Sequence, residues 1–313
     1  MVYWTSKRLY LLIMSMTKLI GACCRQGQKK MGVDKGPHVI EQCLYDGVNL
    51  MKNINNNGNN TRNSNTYKYI PKTYIKDIDN SFSYNAEPMD YINHFDANGK
   101  GYKELHDLHN HYLTLNHNVI TIGGDHSISL STVASSAKTY QDDLVVVWVD
   151  AHPDLHTRQS STSQNMHGMP VGSLLGIDNI FNLTTIKPHQ LIYIGLRDID
   201  EYEKKQIRDL HIEYYNMSYI HRNGIKQILH NISNMQAPIH LSFDVDSIDP
   251  AYFKSTGTPV RNGLTLSDAW DVFTILNKNI VSTDIVEFNP HLTDEHTNIS
   301  EGILLSNFIK YLS

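Results

Sequence analysis

Short apolar runs rich in β-branched residues alternate along the chain with longer segments of mixed polarity, the pattern of parallel strands joined by crossover helices. The clear runs are Asn118 to Ile122, Leu144 to Val149, Gln190 to Ile194, Ile239 to Phe243 and Ile280 to Val286, with a weaker candidate between Leu9 and Ile20. Each clear run passes at once into polar residues: GGDHS, DAHPDLH, GLRD, DVDSIDP and EFNP. In open α/β sheets ligands bind beyond the carboxyl ends of the strands, so these five tails are expected to converge on one site. Candidate ligands spread from position 126 to 287 with no linker between them. One domain over 17–313, after an N-terminal extension over 1–16, is the economical organisation.

Two stretches interrupt the pattern. Residues Asn53 to Asn65 (NINNNGNNTRNSN) are too polar to pack and read as a bland loop insertion. Within it Asn59-Asn60-Thr61 is formally a glycosylation acceptor, relevant only to a secreted protein. The segment Lys7 to Met16 imitates a secretory signal, but its apolar run is short and no clean small-x-small cleavage site follows; Met14 or Met16 could be the start. No apolar run approaches the roughly 18 residues that span a bilayer.

Composition narrows the partners. With 27 basic and 32 acidic side chains the formal charge is −5, which provides no footprint for nucleic acid or an anionic membrane. A small-molecule substrate is the default. Cys23, Cys24 and Cys43 lack both disulfide-framework numbers and zinc-ribbon spacing, so a reducing, cytoplasmic setting is expected.

The chemistry-bearing residues sit in the tails. Asp150, His152 and Asp154 alternate just beyond a strand, and an extended backbone there would point all three to one side. Carboxylates with an imidazole suit borderline-hard divalent ions such as Mn²⁺. Alone, the triplet reads as well as a solvated strand end. Asp244 and Asp246 repeat the i, i+2 spacing, and two carboxylates beside a strand terminus point to a cation between them, an exposed turn being the bland alternative. In GGDHS two glycines allow a tight backbone excursion close to a ligand, and His126 completes a set of six. Two histidines and four carboxylates exceed the needs of one ion and suit a two-metal site, typically with about 3.5–4 Å between metals.

In combination, GGDHS, DAHPD and SFDVDSIDP resemble the signature motifs of the ureohydrolase family, which holds arginases, agmatinases and formimidoylglutamases. The resemblance runs from about Thr17 to the C-terminus apart from roughly Lys52 to Ala86. It implies an α/β fold, a three-layer α/β/α sandwich around a mostly parallel sheet. It also implies two Mn²⁺ per subunit on His126, Asp150, His152, Asp154, Asp244 and Asp246, and assembly as a homotrimer or homohexamer.

Within the family the chain most resembles arginases, through GQKKMGVDKGP, GLRDID, TGTPVRNGLT and VEFNP. That likeness implies that Asp198 reads the substrate amino group, that Thr258 and Glu287 lie near a guanidinium, and that Ser163 and Asn165 of SQNMHGMP contact the substrate. Asp154 would ferry a proton and His167 would exchange protons with solvent. The implied reaction is hydrolysis of L-arginine to L-ornithine and urea. One position departs: two residues after DAHPD an arginase normally has Asn at the substrate carboxylate, and this chain has His156, read as a replacement hydrogen-bond donor or a change of specificity. DAHPDLH is also similar to the DAHFDLR of formimidoylglutamases. Agmatine, a guanidino acid and formimidoylglutamate therefore stand as alternative substrates, and a weakly catalytic binding or regulatory member as a further alternative. His106, His109, His111 and His117 around a probable helix are expected at the surface, and Tyr214-Tyr215 in core or interface packing.

Overall fold

Among the described residues eight strands form one sheet in the order β2-β1-β3-β8-β7-β4-β5-β6, and every neighbouring pair is parallel. They are β1 (Thr17–Ala22), β2 (Asp90–Ile92), β3 (Asn118–Gly123), β4 (Val145–Val149), β5 (Leu191–Ile194), β6 (Glu213–Tyr215), β7 (Ile239–Asp244) and β8 (Ile280–Val286). The computed structural model describes residues 17–45, 89–96 and 98–313. The extension over 1–16, the signal-like stretch and the Asn-rich segment lie outside the described residues. Five strands coincide with the five clear apolar runs. The first strand begins at Thr17, so only the end of the Leu9 to Ile20 candidate falls on it. The edge strands β2 and β6, three residues each with polar or exposed positions, carry no apolar run that marks them.

Strand alternation splits the side chains between two helical layers. Ile120, Ile122, Val147, Val149, Ile192, Ile194, Leu241 and Phe243 pack on one face with the helices Lys226–Asn234, Leu266–Leu276 and Glu295–Leu312. On the opposite face Val146, Trp148, Leu191 and Tyr193 form one cluster, with Val133, Ala134 and Ala137 of the helix Ser129–Tyr140. Ile20, Ala22, Val119 and Val286 form another there, with Tyr102, Leu105 and Leu113 of the helix Lys100–Thr114. The result is the three-layer α/β/α sandwich with a wholly parallel sheet. Among the described residues no helix is long and apolar enough to cross a membrane.

One surface expectation is corrected. His106 and His109 are buried because, three residues apart, they share the inward stripe of their helix with Tyr102, Leu105 and Leu113; His111 is exposed as expected. Tyr214 is exposed on the edge strand β6, and Tyr215 beside it packs partly against the core.

The turn after β3 is set by a close backbone approach. A Cβ on Gly124 would lie 1.7 Å from the Cys24 carbonyl oxygen, so this glycine serves the packing of one chain segment on another rather than access to a ligand. Gly124→Ala is therefore expected to lower stability by about 1–3 kcal/mol, the range for forced overpacking, and to weaken metal retention by displacing His126. Chemical denaturation with metal analysis checks this; a variant as stable as the parent refutes it.

Candidate metal centre

The five polar tails converge because the strands that carry them are neighbours: β3, β8, β7, β4 and β5 stand side by side in the sheet. Their local geometry differs from simple alternation. After β4 the chain does not stay extended; it bends, and Asp154 takes a left-handed φ of 51°. The Asp150 carboxylate is fixed first, accepting the His152 N–H at 2.7 Å and the Trp148 indole N–H at 3.0 Å. Asp244 ends β7 and caps a short 3-10 turn, accepting the Asp246 N–H at 2.8 Å. Beyond β3, Asp125 caps the 3-10 turn that carries His126, whose ring stacks on Trp148 at 4.1 Å and 12°.

All six expected ligands meet, in two groups. His126 Nδ1 lies 3.1 Å from a carboxylate oxygen of each of Asp150, Asp154 and Asp244. His152 Nδ1 lies 3.5 Å from Asp150 and 3.2 Å from Asp246. Asp150 belongs to both groups. His126 Nδ1 is buried yet makes no hydrogen bond, although three oxygens surround it. A ring nitrogen aimed at the common centre of three carboxylates is the donor arrangement of a cation site, and the mixed nitrogen and oxygen set fits a borderline-hard divalent ion.

Electrostatics agree with that fit. Burial, then the neighbouring Asp246 and Asp150, push Asp244 well above the usual carboxylate range. Burial and Asp150 push Asp154 up to about 7. Burial opposes charge on His126 and His152, but the surrounding carboxylates prevail and raise both well above the ordinary imidazole value. Without cations the cluster holds protons; divalent ions would displace them.

Above this floor opens a cleft of about 240 Å³. His156, His167, Asp198 and Thr258 line it as expected, and so do Asp200 and Glu203. Thr258 donates to Asp246 at 2.8 Å, and Asp198 stands 3.6 Å from His152 Nε2. His156 is held at both ring nitrogens: Nε2 lies 3.1 Å from Asp200 and 3.9 Å from Glu203, and Nδ1 lies 3.0 Å from the Ser160 hydroxyl. Its ring also stacks on Tyr202. Ser163 and Asn165 are not on the cleft wall; there the Asn165 N–H donates to Ser163 Oγ within the loop.

Glu287, at a left-handed φ of 67°, is buried beneath His167. Its Oε1 accepts from the His126 N–H and faces His167 Nδ1, each at 3.0 Å, and its Oε2 accepts from Gln28 at 2.6 Å. Burial disfavours charge on His167, yet Glu287, Asp154 and Asp125 outweigh it and push the imidazole up to about 9.

Several of these residues escaped the sequence reading. Asp200 and Glu203 form a capping box on the helix Glu201–Asp209, and the spacing D-x-x-E was a visible signal for a helix start at the site's rim. Gln28, and Arg197, which donates to the carbonyls of Asp246 and Val260 at 2.6 and 2.8 Å, carried no signal apart from their motifs.

Comparison with known proteins agrees with the geometry. A model of the Arginase family matches residues 16–308. The chain is 34% identical to the arginase of Entamoeba histolytica over 287 residues, 87% of this chain and 90% of that one. Its fold superposes on the crystal structure of arginase from Bacillus subtilis with a TM-score of 0.78 at 29% identity, covering 95% of this chain and 98% of that one. The Entamoeba histolytica arginase structure solved in complex with L-ornithine gives a TM-score of 0.74 at 29% identity, over 96% and 99% of the two chains.

Sharing of Asp150 sets the expected mutational pattern. Asp150→Ala should abolish retention of both ions, whereas Asp246→Ala should weaken chiefly the ion beside His152. Metal analysis after dialysis separates the two; full occupancy in either variant refutes the assignment. Because His126, His152, Asp154 and Asp244 all hold protons more tightly than usual, metal uptake should release protons and affinity should rise with pH. Calorimetry in buffers of different ionisation enthalpy measures that release, and heats independent of buffer would contradict it.

Proposed function

The chain belongs to the arginase family of binuclear metallohydrolases, and from that premise we propose that it hydrolyses L-arginine to L-ornithine and urea with two Mn²⁺ ions. The observation that supports this most directly is the unpartnered His126 Nδ1 facing three carboxylates, with Asp150 shared by a second group, on the floor of an acidic cleft. His126, Asp150, Asp154 and Asp244 would hold one ion, and Asp150, His152 and Asp246 the other. When bound, such a pair supplies a hydroxide at neutral pH.

The remaining steps belong to the chain's own side chains. Glu287 lies behind His167 and off the cleft wall, and its negative charge would draw a guanidinium into the cleft. Asp154, 3.1 Å from His126 on that floor, would take the proton that remains on the attacking oxygen and pass it to the departing amine. His167 borders both cleft and Glu287, and in its protonated state it replaces protons lost to product. At the rim, Asp198, Asp200 and Glu203 favour a substrate tail that carries an ammonium group. We assign the chain to the cytoplasm, consistent with its free cysteines, and to a homotrimer or homohexamer.

One observation favours a second reading. His156 Nε2 is directed at Asp200, so its hydrogen bond is engaged there instead of being offered to a substrate carboxylate. Agmatine, which keeps the terminal amine but lacks the carboxylate, fits that rim. A urea assay across arginine, agmatine, guanidino acids and formimidoylglutamate after Mn²⁺ reconstitution decides, and a kcat/KM favouring agmatine would overturn the arginine reading. His156→Asn should shift the preference towards arginine, chiefly in KM, because the tail is remote from the reacting carbon.

Loss of the proton shuttle should leave the floor intact. His167→Ala is expected to retain both metals and to slow turnover by about 10²- to 10⁴-fold, the range for a positioned acid/base. Added imidazole should restore part of the rate. Metal loss in this variant would instead mark His167 as a ligand.

A further inference from the structure

The sheet face under the helix Ser129–Tyr140 contains a fully buried polar seam that the chemistry above leaves unused. Asp284 of β8 sends its Oδ2 into the middle of it, accepting from Ser129 Oγ at 2.8 Å and from Thr132 Oγ1 at 2.5 Å. His240 of β7 approaches the same oxygen with Nε2 at 3.1 Å, and its Nδ1 meets Ser136 Oγ at 2.8 Å. These residues are all 0% exposed, and the two apolar clusters of that face lie on either side of the seam. Buried charge is costly unless it is paired and hydrogen-bonded, and here the partners are His240 and the hydroxyls of Ser129 and Thr132.

A hydrogen-bonded path leads out of the seam towards the ligand cluster. Ser129 Oγ lies 3.1 Å from Ser242 Oγ, and Ser242 Oγ lies 2.9 Å from His126 Nε2. A hydroxyl has one hydrogen to donate, which gives this chain a direction. The Ser129 hydrogen goes to the carboxylate, so Ser129 must accept from Ser242. With its own hydrogen given to Ser129, Ser242 must accept from His126. The hydrogen of a neutral His126 therefore sits on Nε2, and the lone pair is on Nδ1, the atom that faces Asp150, Asp154 and Asp244 without a hydrogen bond.

We propose that Asp284 is a positioning residue which, acting through Ser129 and Ser242, fixes the tautomer and orientation of His126 so that Nδ1 is presented to the metal. The ionised state this requires is supported: burial works against it, but His240 and the hydroxyls hold the Asp284 carboxyl below its ordinary value. Second partners of ligating imidazoles commonly change metal affinity by about 10- to 100-fold when removed. Here the controlling anion stands two hydroxyls further away.

The inference rests on the metal assignment made above, and the test keeps the two separable. Equilibrium dialysis against Mn²⁺, with thermal melts alongside, is applied to wild type, Asp284→Asn, Ser129→Ala, Ser129→Thr and Ser136→Ala. Asn can donate its amide hydrogens to Ser129 and reverse the chain, so Asp284→Asn should weaken one of two Mn²⁺ sites by about 10- to 100-fold and spare the other. Ser129→Ala should do the same without altering charge, and serves if the Asn variant does not fold. Ser129→Thr keeps the hydroxyl and should keep the affinity. Ser136→Ala, at the far end of the seam, should leave both sites unchanged whatever it costs in melting temperature. Wild-type affinity at both sites in Asp284→Asn and Ser129→Ala, or an equal loss at both, overturns the proposal and leaves a merely structural seam. A wild type that binds no Mn²⁺ overturns the metal assignment and this inference with it.

Discussion

Four carboxylates drawn together at the ends of the central strands are the constraint on which the rest of the molecule depends. Ligand atoms of His126, Asp150 and Asp154 all lie within 4.8 Å of one another, as do those of Asp150, His152 and Asp246. Two unit charges at that separation repel by about 3–4 kcal/mol even at an effective dielectric of 20, more than one ordinary hydrogen bond returns. Burial and this mutual repulsion push Asp154 and Asp244 above the usual carboxylate range, so the cluster favours taking up protons or divalent cations.

Holding that shape costs backbone strain at two chemically active positions. Asp154 and Glu287 both adopt left-handed φ values, a conformation that carries an energetic cost for residues other than glycine and persists only where the surroundings impose it. For Glu287 the imposing contacts are visible. Its backbone N–H donates to the Gly124 carbonyl at 2.8 Å, and its carboxylate is gripped by Gln28, His126 and His167. Gly124 itself can take only a hydrogen side chain, because the β1 loop passes against it. The turn that presents His126 and the strand end that presents Glu287 are thus one packed unit, and a disturbance in either reaches the other.

What the sequence made legible follows from where periodic signals exist. Central strands buried on both faces read as continuous apolar runs, so β3, β4, β5, β7 and β8 and the convergence of their tails could be read directly, and the six ligand candidates followed from those tails. The edge strands β2 and β6 bury little and left no such signature. The side-chain geometry was harder: the DAHPD segment achieves its convergence through bends and a left-handed Asp154, where alternation assumed an extended chain. Distant partners were harder still. Gln28 reaches Glu287 across 259 positions, a contact no local pattern encodes. The Asp200 and Glu203 rim was written as a helix capping box, whose structural meaning masked its place on the cleft wall.

The buried serines show why a polar seam can be preferable to a larger apolar core. The helix Ser129–Tyr140 buries Ser129, Ser131, Thr132, Ser135 and Ser136, and apolar replacements there would join the two clusters that now flank it. Each buried CH₂ would add roughly 0.8 kcal/mol. The seam forgoes that gain, and it leaves Asp284 Oδ1 without a hydrogen bond, a further cost. What it returns is directional order, since van der Waals packing can fix the plane of an imidazole but cannot choose which nitrogen carries the hydrogen. Trp148 stacked on His126 supplies the first constraint, and the hydroxyl chain from Ser242 supplies the second. A ligand that must give up the Nδ1 proton and keep the Nε2 hydrogen as the cation binds needs both, and that requirement accounts for polarity in a layer that stability alone would fill with aliphatic side chains.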